Sequence, residues 1–334
     1  MVHYSHDLPM TEISTQTLEA VPMPTGPNQV GTVKFDVVDA YRKDFTFPAG
    51  RLIPIQIYFP KGNGSHTLSP KLFEERASIG HWEPLQMQVY SKKADLSSIV
   101  GEKLPLIFLN HGSRVPLSDY SFVAEDLASH GYVVVSIQHD LTLDAEEPPF
   151  WEGRSCSRNA KVIDNMLYVF EWLKTSPLQD KINFKRVGFI GHSFGANSML
   201  PWINRELDSF KEDTRQAILP RKDQDGIKEC FILMEATRFS FALNHRYPLF
   251  FLLAEERESH HKKTGCCDQI LGAGHELRYY KGSTHISFMD HGYICPPKPV
   301  QSHEFYFQGT LEERKAFFDQ VREDIRTFLK KHLS

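Results

Sequence analysis

The sequence predicts an α/β protein: a mostly parallel central sheet with helices on both faces, antiparallel strands at the N-terminal side and several loop insertions. Three observations carry this expectation. Strand-length, predominantly apolar runs recur along the chain, as in "LPLIFLN" (104–110) and "YVVVSIQ" (132–138), the pattern of strands covered on both faces. Amphipathic helical stretches alternate with these runs, which calls for crossover connections and hence parallel strands. Finally, "RVGFIGHSFGANSM" (186–199) puts an apolar strand, a turn with two glycines and the start of a helix in direct succession.

Taken in order, residues 1–32 are polar and contain "PMPTGPNQVG", so they read as a loosely attached N-terminal arm. Residues 33–334 read as a single domain, because the strand spacing is even and no internal repeat is present. "KFDVVDA" and "RLIPIQIYFP" alternate and are rich in β-branched and aromatic residues, as hairpin strands are. Residues 61–102 are polar and irregular, and read as an insertion. After the strand at 104–110, "YSFVAEDLASHG" predicts a helix closed by Gly131. The strand at 132–138 is followed by a long loop or lid from His139 to about residue 159. In "AKVIDNMLYVFEWLKTSP", Ile163, Met166, Leu167, Phe170 and Leu173 share one helical face and Pro177 lies just beyond it. "RVGFIG", "CFILME", "YPLFFLLAEE" and "HELRYYKG" supply further strands. A last amphipathic helix carries Phe317, Phe318, Val321, Ile325, Phe328 and Leu329.

Composition removes several function classes. The net charge is −4 with Lys and Arg scattered, so there is no basic stripe and no nucleic-acid partner is expected. Five cysteines, two of them adjacent at Cys266 and Cys267, do not make a disulfide framework and point to a reducing compartment. The N-terminus shows neither a basic n-region nor an apolar h-region, and no apolar run approaches the ~20 residues needed to cross a bilayer. A cytoplasmic location is the expectation. "HHKKTGCCDQILGAGH" (260–275) gathers histidines and cysteines, but at none of the usual zinc spacings. It reads as a loop, and no metal or other cofactor is expected.

The strand–turn–helix context of Gly191-His192-Ser193-Phe194-Gly195 is the setting in which G-x-S-x-G reads as a nucleophile elbow rather than a plain glycine-rich turn. So tight a turn leaves no room for a Cβ at Gly191 or Gly195, and it holds the serine in a strained conformation. The serine then needs a base and the base an acid, in the chain order Ser, acid, His. His285, in the loop "KGSTHISFMD" after the last strand, is where a base would meet the elbow, with His245 and His291 as rivals. For the acid, Glu235 ends one strand and Glu255 and Glu256 end the next; their residue type and position leave the choice open. Two backbone amides should meet the developing oxyanion: that of Phe194, just after the nucleophile, and that of Ser113 in "NHGS", where Gly112 removes side-chain bulk.

With "PLIFLNHG", "LASHGYVVVSIQHD", "RVGFIGHSFGANS", "CFILME", "YPLFFLLAE" and "GSTHISFMD" in this order over roughly residues 33–290, the chain resembles the platelet-activating factor acetylhydrolase family of α/β-hydrolases, with dienelactone-hydrolase-like enzymes more distant. The resemblance implies the α/β-hydrolase fold. It also implies cleavage of short or oxidised acyl groups from the sn-2 position of phospholipids without calcium. In that family the acid is an aspartate after the strand that follows the elbow helix. The matching position here is Glu235, one methylene longer, and this favours Glu235 over Glu255 and Glu256.

The expectation is therefore a serine hydrolase of carboxylic esters, short-acyl or phospholipid, acting through an acyl-enzyme on Ser193. The rival readings are a peptidase or acyltransferase on the same fold, and a non-catalytic binding protein. The partner is a small-molecule or lipid ester. Pro148, Pro149, Phe150 and Trp151 would form an apolar wall for an acyl chain, touch a membrane surface, or simply cap the core.

Overall fold

The computed structural model describes residues 20–40, 49–71, 87–113, 115–139, 156–203, 226–236, 247–294 and 310–334. Two long strands open it, β1 (Asn28–Asp39) and β2 (Arg51–Asn63), paired antiparallel from Asn28↔Asn63 to Asp39↔Arg51. A short antiparallel pair follows, β3 (Ser69–Lys71) and β4 (Met87–Val89), and then the two-residue β5 (Lys92–Lys93) beside β1. The stretch 61–102, expected to be irregular, thus contributes short strands; residues 72–86 within it lie outside the described part.

Alternation of strand and helix begins at residue 104. The strands are β6 (Leu104–Asn110), β7 (Val133–Ile137), β8 (Ile182–His192), β9 (Lys228–Met234), β10 (Leu249–Ala254) and β11 (Glu276–Tyr280). They pair parallel in one nine-stranded sheet of order β11-β10-β9-β8-β6-β7-β2-β1-β5, with β2 joined antiparallel to β7.

The helices are α1 (Ser121–Ser129), α2 (Cys156–Thr175), α3 (Phe194–Ile203), α4 (Glu258–Thr264), α5 (Cys266–Gly272), α6 (Asp290–Ile294) and α7 (Leu311–Leu333). α1 and α7 cover one face of the sheet; α2 and α3 cover the other. The unbroken apolar runs are explained by this double cover. Along β9, Cys230, Ile232 and Met234 face the α1–α7 side, while Phe231 and Leu233 face α2 and α3. On the second face Phe108, Phe189 and Phe231 stack across three neighbouring strands, with ring centroids 5.7 and 4.8 Å apart. On the first, Phe318 of α7 meets Phe122 of α1 edge-on at 4.5 Å.

The structure departs from three sequence expectations. Of the arm expected over residues 1–32, residues 28–32 are sheet and residues 20–27 are packed down. The Thr25 amide donates to Asp126 at 2.9 Å, Gly26 to Ser129 at 2.9 Å, and Arg322 donates to the Met23 carbonyl at 2.8 Å. Short polar side chains and prolines conceal such a strap, because its attachment is through backbone groups to buried polar and charged side chains on α1 and α7. The helix expected from about residue 160 already begins at Cys156. The loop expected at 260–275 holds α4 and α5, joined by Gly265 in the left-handed region at φ 71°. Pro148, Pro149, Phe150 and Trp151 lie outside the described residues. Among the described residues no helix is long and apolar enough to cross a membrane.

Candidate active site

The carboxyl ends of β6, β8, β9, β10 and β11 converge on one place, and the connections leaving them carry the polar side chains predicted above. Ser193 follows β8 and precedes α3, with φ at 50°. The two glycines around it are needed for space. A Cβ on Gly195 would lie 2.4 Å from the carbonyl oxygen of Asn110, and one on Gly191 would lie 2.7 Å from the amide nitrogen of Ala196. The elbow is therefore wedged between the end of β6 and its own helix. Its amide is clamped as well: Ser193 N donates to the Met234 carbonyl at 2.8 Å.

Three non-glycine residues among those described have positive φ: Lys103, Ser193 and Glu235, the last at 53°. Such a conformation costs an ordinary residue about 1–2 kcal/mol, and it persists where surrounding bonds hold it. Glu235 stands just past β9, with its amide on the Leu252 carbonyl at 2.9 Å. The turn folds its side chain back over the sheet end, where it is fully buried.

His285 heads a single 3-10 turn, His285–Phe288, whose start is closed by a reciprocal Thr284–Ser287 capping box. Five residues on, Asp290 accepts hydrogen bonds from the amides of Ser121 at 2.8 Å and Phe122 at 3.1 Å, which ties this loop to the first turn of α1. So held, His285 Nε2 lies 2.9 Å from Ser193 Oγ and Nδ1 lies 2.9 Å from Glu235 Oε2. The structure brings Ser193, His285 and Glu235 into one hydrogen-bonded line.

Glu255 and Glu256 are placed differently. Glu255 accepts from the Gly282 amide at 2.8 Å and Glu256 from the His285 amide at 3.0 Å, so both hold the backbone of the loop and not the ring. His245 lies outside the described residues. For Glu235, burial works to raise the carboxyl. The hydrogen bond from His285, the charge of Arg257 and the amide of Ala254 outweigh it and hold the group below its ordinary value.

The sequence reading missed a second set of residues. The Gly112 amide donates to Tyr120 Oη at 3.0 Å, Tyr120 Oη lies 2.9 Å from His192 Nδ1, and His192 Nε2 lies 2.9 Å from the carbonyl oxygen of His285. One consistent proton arrangement runs through the set: tyrosine donates to Nδ1, and Nε2–H donates to the carbonyl. It requires a neutral imidazole. Burial first, and then the neighbouring His285, push the His192 ring down to about 3. Burial likewise lowers His111 to about 4; its Nδ1 meets the Gly112 carbonyl at 2.6 Å and its Nε2 accepts from the His139 amide at 2.8 Å. These neutral rings stiffen the loop after β6 and tie it to the loop bearing His285. Ser113 is exposed in that loop, and Phe194 is the first residue of α3, where amides have no intrahelical partner. Nothing in a single sequence links Tyr120 to the residue inside the elbow, since each looks ordinary within its own element. Among the described residues, no three His, Cys, Asp or Glu side chains converge as a metal site would require.

A family model described as "Platelet-activating factor acetylhydrolase, isoform II" matches residues 154–334, just over half of the chain. A probable 1-alkyl-2-acetylglycerophosphocholine esterase of Arthroderma benhamiae is 24% identical, over 54% of this chain and 54% of its own length. The platelet-activating factor acetylhydrolases of Bos taurus and Gallus gallus are each 21% identical, over 70% of this chain and 58% and 63% of theirs. The chain thus spans little more than half the length of the curated relatives it matches. Among solved structures, a ferulic acid esterase from Streptomyces cinnamoneus superposes with a TM-score of 0.66, covering 95% of this chain and 94% of that one. At 18% identity this likeness is one of fold, and with the observed sheet order it makes the architecture an α/β-hydrolase fold.

Proposed function

The chain belongs to the platelet-activating factor acetylhydrolase isoform II family, and from that premise we propose that it is a serine hydrolase that cleaves carboxylic esters through an acyl-enzyme on Ser193. The observation that carries the reading is the line Ser193 Oγ–His285 Nε2–Glu235 Oε2, with 2.9 Å at each link. As Oγ attacks the ester carbonyl, its proton passes to Nε2. Glu235 accepts from Nδ1–H, fixing the tautomer and balancing the imidazolium. The oxyanion meets the amides of Phe194 and Ser113; the Gly112 amide is already taken by Tyr120. One such donor is worth about 3–4 kcal/mol to the transition state. Collapse returns the proton from Nε2 to the leaving alcohol. Water, deprotonated by the same nitrogen, then releases the acid and restores Ser193.

The substrate reading rests on the family and on the relatives' names: a phospholipid with a short acyl chain, of the 1-alkyl-2-acetylglycerophosphocholine kind. Four substrates separate it from its rivals: p-nitrophenyl acetate, p-nitrophenyl octanoate, a 1-alkyl-2-acetyl phosphocholine and a peptide anilide. Both acetyl esters should be turned over with kcat/KM at least about tenfold above the octanoate, since an apolar pocket discriminates by about 1–3 kcal/mol per methylene, and the anilide should be inert. Turnover of the anilide alone would assign a peptidase. Release of p-nitrophenol only in the presence of an alcohol would assign an acyltransferase.

A further inference from the structure

Glu235 shares one oxygen between two partners. Oε2 accepts from His285 Nδ1 at 2.9 Å and from Arg257 Nε at 2.6 Å, while Oε1 accepts from the Ala254 amide. Arg257 closes the 3-10 turn Glu255–Arg257 after β10, and its second nitrogen, Nη2, stands 3.2 Å from His285 Nδ1. The guanidinium thus lies against both the carboxylate and the ring that the carboxylate orients. Its side chain is 30% exposed, whereas Glu235 is fully buried.

We propose that Arg257 is a positioning residue for this site: it pins the carboxylate of Glu235 in the orientation that meets His285. The inference rests on the triad reading above.

The role follows from the shape of the guanidinium. A glutamate has one more rotatable bond than an aspartate, and so more ways to miss the ring. The Ala254 amide fixes one oxygen of Glu235 and the Arg257 Nε–H fixes the other. Arg suits this task because its donors are held in a rigid plane. With Nη2 3.2 Å from His285 Nδ1, that plane lies beside the ring, and the carboxylate is held between the arginine and the base it orients.

Other groups near the ring meet different atoms. Glu256 accepts from the His285 amide and Glu255 from that of Gly282, both from the turn after β10. His192, from the elbow, has its ring centroid 5.0 Å from that of His285. His261 of α4 interacts electrostatically with both Arg257 and Glu235, and Asp290 caps α1.

The test is kcat and KM for p-nitrophenyl acetate, a neutral ester that offers Arg257 no anionic group, in wild type, Arg257→Gln and Arg257→Lys, each also in the Glu235→Gln background, with thermal unfolding of each. Arg257→Gln should lower kcat by about tenfold with KM within about twofold of wild type, and Arg257→Lys should recover part of the loss because a charged donor remains. In the Glu235→Gln background the same substitutions should change kcat by less than about twofold, because Arg257 acts through that carboxylate. If Arg257→Gln fails to fold, the lysine variant decides: a raised KM with unchanged kcat, or an equal loss in both backgrounds, overturns the proposal. A folded Arg257→Gln with the wild-type kcat overturns it too, even if its KM rises for an anionic ester, since the arginine would then be a substrate contact. A wild type with no turnover, or one unaffected by Ser193→Ala, overturns the triad reading and this inference with it. An active wild type with an unchanged kcat in Arg257→Gln overturns only this one.

Discussion

Ser193→Ala is expected to fold normally and to lose at least about three orders of magnitude of turnover. The side chain is small and half-exposed at the head of α3, and its Oγ meets His285 Nε2. Replacing it leaves no buried polar atom stranded, because Nε2 sits in a partly exposed ring. The backbone that strains the elbow stays clamped through Ser193 N, and the two flanking glycines stay wedged in place. On the proposed mechanism, what is lost is the atom that forms the acyl bond. The amides of Phe194 and Ser113 would remain, so a small residual rate over water is part of the expectation. Initial rates on p-nitrophenyl acetate, with thermal unfolding as the control for folding, check it. Wild-type turnover in this variant would end the acyl-enzyme reading.

Glu235→Gln should fall almost as far, by about two to four orders of magnitude in kcat. The amide presents a donor and an acceptor where the carboxylate presents two acceptors, and three donors converge there: the Ala254 amide, Arg257 Nε and His285 Nδ1. One donor must then face another, and the ring is free to turn or to hold the wrong tautomer. The variant should also lose stability, since the buried carboxylate that pairs with Arg257 is replaced by a neutral amide. Because Glu235 is held below its ordinary value, the native ion pair contributes stability at neutral pH; that contribution disappears as pH falls through the depressed value, below the ordinary carboxylate range. Glu255→Gln and Glu256→Gln should each change kcat by less than about fivefold, since each carboxylate accepts a single backbone hydrogen bond that an amide oxygen can also accept. The reverse pattern, mild at Glu235 and severe at Glu255 or Glu256, would move the acid to the turn after β10.

The architecture was legible where the physics is local or periodic. The strands covered on both faces announced themselves as apolar runs, and α7 as an amphipathic stripe. Ser193 was legible because the elbow puts steric demands on residues two positions either side of it. His285 was favoured by the order of strands, with His245 and His291 as rivals. Glu235 could not be told from Glu255 and Glu256 by residue type or position; the resemblance to a family chose among them. The structure adds that its positive φ turns it toward the ring. Tyr120, His192 and Arg257 stayed hidden because each meets a partner 22 to 93 residues away, and one sequence holds no record of such pairs. The packed strap at residues 20–27 was hidden for the same reason, since what fixes it is Asp126, Ser129 and Arg322 far along the chain.

The central claim, that His285 and Glu235 make Ser193 a nucleophile, is tested most directly by a fluorophosphonate probe followed by intact mass and peptide mapping. The account predicts a single adduct, on Ser193, formed rapidly in wild type, at least about a hundredfold more slowly in His285→Ala, and not at all in Ser193→Ala. An adduct on another residue, or an equal labelling rate in His285→Ala, would contradict it.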